Sequence, residues 1–256
     1  MKIASWNVNS LRVRLDQVLR WLGEFEPDIL AMQETKLKDS DFPEDAFASA
    51  GYHVAYSGQP TYNGVAIASR VPAEDPVTEV EGLEDPQRRV VGATYGTVRV
   101  FNLYVPNGQS VDSDKYLYKL RWLEAMTAQL ARELVTYERC IVLGDFNIAP
   151  EDRDVHDPKE WEGKVLCSEP ERDALNNIFR LGFSDTFRLF SQPEGSFSWW
   201  DYRAAGFRRN RGLRIDLVLA SESLCGACTA SKIDVEPRRS ERPSDHTPVY
   251  AEFDSA

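Results

Sequence analysis

Cysteine and histidine are scarce in this chain, with four and three among 256 residues. Cys225 and Cys228 have the spacing of half a zinc site, but no second pair or neighbouring histidine completes it. Together with Cys140 and Cys167 they read as reduced thiols with packing roles. No apolar run approaches the roughly 20 residues of a membrane span. A core strand expected to start at Ile3 leaves no basic-then-apolar leader and no Arg-rich transit peptide, so the expectation is a cytoplasmic protein. Linker-like, low-complexity and repeated segments are missing too, which predicts a single domain over residues 1–256. Neither GxGxxG nor GxxxxGK occurs, so no Gly-rich phosphate loop is expected. Basic residues are outnumbered, 30 Lys and Arg against 41 Asp and Glu, for a net charge of −11. Such a balance argues against a protein that coats nucleic acid through bulk electrostatics.

The distribution of charge tells a different story from its sum. Between Tyr202 and Ile215 stand five arginines, Arg203, Arg208, Arg209, Arg211 and Arg214, with no acid among them, and Arg238, Arg239 and Arg242 form a second basic knot. A local basic face on an acidic body can grip phosphates while the remaining surface repels nonspecific binding.

Apolar periodicity predicts a helix over 11–25, closed by Pro27, and a longer one over 115–137 with Leu120, Leu123, Met126, Leu130 and Leu134 on one face. A third is expected near 171–181. Short strands are expected at 3–9, 28–34, 64–69 and 141–145, with late ones at 196–200, 214–220 and 247–253. The segments 89–94 and 98–104 read as a hairpin. Hairpins among crossovers favour mixed sheets covered by helices over an all-parallel sheet.

Many of these strands end in acids, amides or aromatics: Asn7 and Asn9, Glu34, Tyr104, Asp145 and Asn147, Asp216, Asp245 and His246. Carboxylates at buried strand ends are costly unless something compensates them, and a bound cation would. Carboxylate and amide oxygens suit Mg²⁺ or Mn²⁺, which keep several waters and need few protein ligands. Gly144 lets the backbone approach closely, and Asp145 and Asn147, two apart on a turn, can face one pocket. His246 sits beside Asp245, and the strand-borne Asp216 is available to orient it.

At this point the chain resembles the exonuclease III family, within the wider endonuclease/exonuclease/phosphatase fold. The likeness rests on Trp6-Asn7-Val8-Asn9, Gln33-Glu34-Thr35-Lys36, Tyr104-Val105-Pro106-Asn107, Gly144-Asp145-Phe146-Asn147, Phe197-Ser198-Trp199, Arg214-Ile215-Asp216 and Ser244-Asp245-His246. The segments Phe197–Arg203 and Gly212–Ser221 point to its DNA-repair branch. The resemblance implies an α/β four-layer sandwich, two facing mixed β-sheets flanked by helices. It implies that Glu34, with Asn7 and Asp245, holds the metal, Mg²⁺ or Mn²⁺. Asp145 would orient or deprotonate the attacking water, Asn147 would hold a phosphate oxygen, and His246, oriented by Asp216, would bind the scissile phosphate, with Tyr104 as a further contact. Asn9, Asn107, Arg203, Arg208, Arg209 and Arg211 would contact phosphate or DNA. Trp199, Trp200 and Leu217 would wall the pocket for a base-less sugar. The implied partner is double-stranded DNA with abasic sites, nicks or blocked 3′ ends, acted on by a monomer. Expected activities are cleavage 5′ of an abasic site, 3′-phosphate removal and 3′→5′ exonuclease. Should Leu166 or Cys167 in the Lys164–Ser168 segment project into the DNA path, activity would be confined to 3′ ends or gaps. A lipid or inositol phosphatase of the same fold, or a catalytically dead binding relative, are the alternatives. The first would not need the Phe197–Arg203 segment, and the second should have lost one of Glu34, Asp145, Asn147, Asp216 or His246.

Overall fold

The computed structural model describes residues 1–254. In chain order its strands are β1 (Lys2–Asn7), β2 (Ile29–Gln33), β3 (His53–Ser57), β4 (Val65–Ser69), β5 (Glu74–Val77), β6 (Val90–Tyr95), β7 (Val98–Tyr104), β8 (Cys140–Asp145), β9 (Phe183–Asp185), β10 (Trp199–Trp200), β11 (Gly212–Leu213), β12 (Asp216–Ser221), β13 (Cys228–Ile233) and β14 (Val249–Phe253). The helices are α1 (Leu11–Phe25), α2 (Glu44–Ser49), α3 (Asp114–Thr136), α4 (Pro158–Trp161), α5 (Glu169–Phe179) and α6 (Glu222–Cys225). One six-stranded sheet runs β13-β14-β1-β2-β4-β3, a second runs β5-β6-β7-β8-β12-β9, and β10 and β11 form a separate ribbon. The pairs β1–β2 and β7–β8 are parallel and the other strand pairs antiparallel, so both large sheets are mixed.

Strand alternation builds the layers. Ile3, Ala31 and Ile67 of the first sheet meet Val100, Leu143, Val218 and Ala220 of the second in a shared interior. The opposite face of the first sheet carries Ala4, Leu30 and Met32 against Val18, Trp21 and Leu22 of α1 and Phe47 of α2. On the outer face of the second sheet, Phe101, Val142, Leu217 and Leu219 pack on Trp122, Met126 and Leu130 of α3 and Leu175 of α5. The four-layer α/β sandwich expected from the sequence is therefore present. Among the described residues no helix is long and apolar enough to cross a membrane.

Parity also decides which side chains reach the site. Asn7, Gln33, Tyr104, Asp145 and Asp216 fall in step with the residues that face between the sheets, while Leu217 points the other way, into the helix-side core. Leu217 therefore does not wall a sugar pocket: one residue along a strand reverses the face.

The helices expected over 11–25 and 115–137 are α1 and α3, and the one near 171–181 is α5, which starts two residues earlier at a capping box of Ser168 and Glu171. The strand expected over 196–200 shrinks to β10, and that over 214–220 is β12, beginning two residues later at Asp216, with the short β11 just before it. The hairpin is β6–β7.

Candidate active site

Register brings the polar strand ends together. Tyr104 lies opposite Asp145, and Asp145 opposite Asp216, on three adjacent strands of one sheet. Facing them, β1 ends at Asn7 beside Gln33 of β2, immediately before Glu34. The close approach of β7 and β8 depends on Gly144, which has φ +147° and where a Cβ would lie 1.9 Å from the Leu103 carbonyl oxygen. Only glycine fits there without displacing the backbone.

Asn7 joins the two sheets. Its side-chain NH₂ donates to Glu34 Oε1 and to Asp145 Oδ2, each at 2.9 Å, while its Oδ1 accepts from the Asn9 N–H at 3.0 Å. Asn7 thus acts as a donor between two carboxylates, and its oxygen is turned away from them, which does not match its expected place as an oxygen ligand. Lys36, which the sequence reading passed over although it lies in the Gln33–Lys36 motif, ion-pairs with Glu34 at 2.9 Å and donates to Asn9 Oδ1 at 2.6 Å. Asn9, Glu34, Lys36 and Asn147 adopt left-handed backbone conformations, φ 42°, 51°, 53° and 50°. Non-glycine residues persist there only where their surroundings hold them.

On the other wall, His246 Nδ1 lies 2.9 Å from Asp216 Oδ2, and its Nε2 lies 3.8 Å from Asp145 Oδ2. Burial alone would depress the imidazole, but Asp216 and then Asp145 outweigh it and raise His246 to about 10, so it is an imidazolium at neutral pH. Asp145 is pushed up to about 7 by burial, which the charge of His246 only partly offsets. The Asn147 N–H donates to Asp145 Oδ1 at 2.9 Å, and its side-chain NH₂ donates to the Val105 carbonyl at 2.9 Å. Asn107 is linked to Asn147 Oδ1 at 3.1 Å. Burial pushes the Tyr104 hydroxyl well above its ordinary value, with Glu34 and Asp145 adding to it, so it stays a neutral donor.

Asp245 stands at the rim, accepting from Asn9 Nδ2 at 2.8 Å and from the Trp199 indole N–H at 3.1 Å. Burial would raise it, but His246, Asn9 and Trp199 hold its carboxyl below the usual range. Two serines absent from the expectations fix this wall. Ser244 Oγ donates to the Asn7 carbonyl at 2.7 Å, and Ser198 Oγ accepts from the N–H groups of Ile215 and Asp216 at 3.0 and 3.1 Å. Their only sequence signal was membership of the Ser244–His246 and Phe197–Trp199 motifs.

Glu34, Asp145 and His246 offer ligand atoms within 4.8 Å of one another. With His246 Nδ1 engaged by Asp216, the carboxylate oxygens of Glu34 and Asp145 are the main atoms that face a cation. Such donors fit a hard, oxygen-seeking ion of the Mg²⁺ or Mn²⁺ kind and not a zinc-type site.

Some expected contacts lie elsewhere. Trp200 is buried beside the ring of Phe207 at 5.1 Å, its indole N–H donating to Asn210, so it props the basic loop and does not line the polar cluster. Arg203 forks onto Asp201, and Arg211 pairs with Glu160 at 2.8 Å. Arg208 and Arg209 remain exposed. Arg214 is buried and paired with Asp154 and Asp185, each at 2.7 Å, and Arg238 is boxed in by Trp200, Tyr202 and Phe207. Both are structural, which corrects their inclusion in the basic face. Leu166 and Cys167 are buried with Ala149, Val155, Leu213 and Ile215, so neither projects from the surface as an obstruction.

Known proteins align with this arrangement over its whole extent. The Endonuclease/Exonuclease/phosphatase family model matches residues 4–246. Exodeoxyribonuclease III of Haemophilus influenzae is 34% identical, with 99% of this chain and 100% of the relative aligned. Among solved structures, a 3′ phosphatase from Neisseria bound to a product DNA hairpin superposes with a TM-score of 0.98 at 46% identity, covering 100% of both chains. An AP endonuclease from Archaeoglobus fulgidus superposes with a TM-score of 0.96 at 41% identity, again over 100% of both.

Proposed function

Because the chain belongs to the exonuclease III family of endonuclease/exonuclease/phosphatase proteins, and is thus a DNA-repair nuclease, we propose that it is a single-domain, Mg²⁺- or Mn²⁺-dependent phosphodiesterase. In this reading it cleaves duplex DNA 5′ of abasic sites and clears 3′-phosphates and terminal nucleotides. The observation that carries it is the polar cluster in which Asn7 bridges Glu34 and Asp145 opposite the Asp216–His246 pair.

Glu34, with Asp145 and Asp245 nearby, would hold the cation, which when bound supplies charge neutralisation to the phosphate. Asp145, raised to about 7 by burial, is matched to taking a proton from water near neutral pH. Asn147 and the His246 imidazolium would hold nonbridging phosphate oxygens, and the neutral Tyr104 hydroxyl would donate to the same group. Water adds to phosphorus as Asp145 takes its proton, the bond to the 3′ oxygen breaks, and the departing 3′ oxygen takes up a proton from solvent. Asn7 keeps the two carboxylates apart and oriented throughout. Asn9 and Asn107 extend the polar floor, while Arg208 and Arg209, with Arg203 and Arg211 from their own ion pairs, would lie along the DNA backbone and position it without reading sequence. Trp199, held by Asp245, offers an aromatic face to the base-less sugar, the cheapest nucleotide to extract from a duplex.

A 3′-end-restricted phosphatase or exonuclease is the second reading, favoured by the likeness to the Neisseria 3′ phosphatase. The inward packing of Leu166 and Cys167 favours the first. Two labelled duplexes separate them, one with an internal abasic-site analogue and one with a 3′-phosphate at a nick. Cutting of both, abolished by Glu34→Ala, is the expected result. Release of phosphate alone would establish the restricted enzyme, and no reaction on either would overturn the proposal.

A further inference from the structure

Beneath the site lies a charge that the reaction as described does not use. Lys119 of α3 is fully buried, and its ammonium donates to the backbone oxygens of Asn147 at 2.7 Å and Asn107 at 3.2 Å and to the carboxylate of Glu171. Three N–H donors meet three acceptors. The lysine stem runs close under Gly108, where a Cβ would come within 3.2 Å of Lys119 Cδ. Glu171, equally buried, accepts from the N–H groups of Leu166 at 3.0 Å and Ser168 at 3.1 Å and from the Ser168 hydroxyl. The loops that follow β7 and β8 and the Lys164–Ser168 segment therefore converge on one ion pair.

A buried ion pair adds little net stability over a well-packed apolar pair of similar volume, because desolvation consumes most of the attraction. An apolar pair, however, could not hold two carbonyls. From this geometry we infer that Lys119, paired with Glu171, is a positioning residue. It anchors the main chain of Asn107 and Asn147, so that their linked side-chain amides meet the scissile phosphate in one fixed arrangement. The inference rests on the reading of Asn147 as a phosphate-holding residue. Small displacements of such groups are expensive, since roughly 1 Å can cost about 100-fold in rate.

The test compares wild type, Lys119→Met and Lys119→Met/Glu171→Gln on the abasic-site duplex with Mg²⁺, reading kcat, KM and melting temperature. The single variant leaves a buried carboxylate unpaired and should melt lower. Neutralising both partners should regain most of that loss, yet kcat should stay roughly 10- to 100-fold down with KM nearly unchanged. In an Asn147→Ala background the same double change should cost clearly less than in the wild type, because one of the two linked amides it positions is gone. Recovery of kcat together with melting temperature, or full additivity with Asn147→Ala, would reduce the pair to a structural role and overturn the inference. Failure of the wild type to cut this substrate would instead overturn the functional reading on which it rests.

Discussion

His246 shows how a single residue's surroundings set its chemistry. Burial works against its charge, and two carboxylates within 4 Å more than reverse that, raising it to about 10. Because the folded value lies above the ordinary 6.5, the protonated ring contributes stability in full below about pH 6.5 and loses that contribution as pH rises through about 10. With three histidines in the chain, ring resonances can be followed individually by NMR in the metal-free protein. The His246 ring should remain protonated at about pH 8, where an unperturbed imidazole is neutral, and Asp216→Asn should move its titration downward. A neutral His246 at that pH in the wild type would contradict the charge assigned to the site. Asp145, raised to about 7 largely by burial, illustrates the complementary case of a carboxyl brought into the range of a general base.

Among the elements, β12 carries the sharpest lesson. Asp216 and Val218 face between the sheets, whereas Leu217 and Leu219 face α3 and α5. Leu217→Ala should therefore cost about 2–5 kcal/mol of stability through a cavity in the helix-side core. Calorimetry and kinetics should show a lower melting temperature with KM for abasic-site DNA unchanged. A preserved melting temperature with altered KM would return Leu217 to the sugar pocket. The long helices α1 and α3 were legible because their apolar residues recur at helical spacing over many turns. Short edge strands were not. Strand β13, Cys-Thr-Ala-Ser-Lys-Ile, has no alternating apolar pattern and is set by pairing with β14, and β5 contains a proline and an irregular register. Likewise Arg214 and Arg238 looked solvent-facing in sequence. Their burial depends on Asp154, Asp185 and aromatic rings brought in from other segments, which no local pattern reveals.

At the scale of the whole molecule, the site draws on β1, the residues after β2, the ends of β7 and β8, the start of β12 and the loop before β14. The types of residue were legible at the strand ends, because acids and amides are costly to bury there without a partner. Their pairing was not. That Asn7 would donate to both Glu34 and Asp145, or that Lys119 would support Asn147 from below, depends on sheet register and helix packing. The net charge of −11 coexists with an exposed basic loop carrying Arg208 and Arg209, and a net negative body limits nonspecific adhesion to nucleic acid. The most direct measurement is to strip the protein with EDTA, dialyse it, and follow cleavage of an abasic-site duplex as Mg²⁺ or Mn²⁺ is returned, for wild type and Glu34→Gln in parallel. Expected are no cutting without metal, full recovery in the wild type, and a rate lower by on the order of 100-fold or more in Glu34→Gln at saturating metal with its melting temperature intact. Undiminished cutting by the stripped wild type, or by Glu34→Gln, would contradict a metal-dependent phosphodiesterase centred on Glu34.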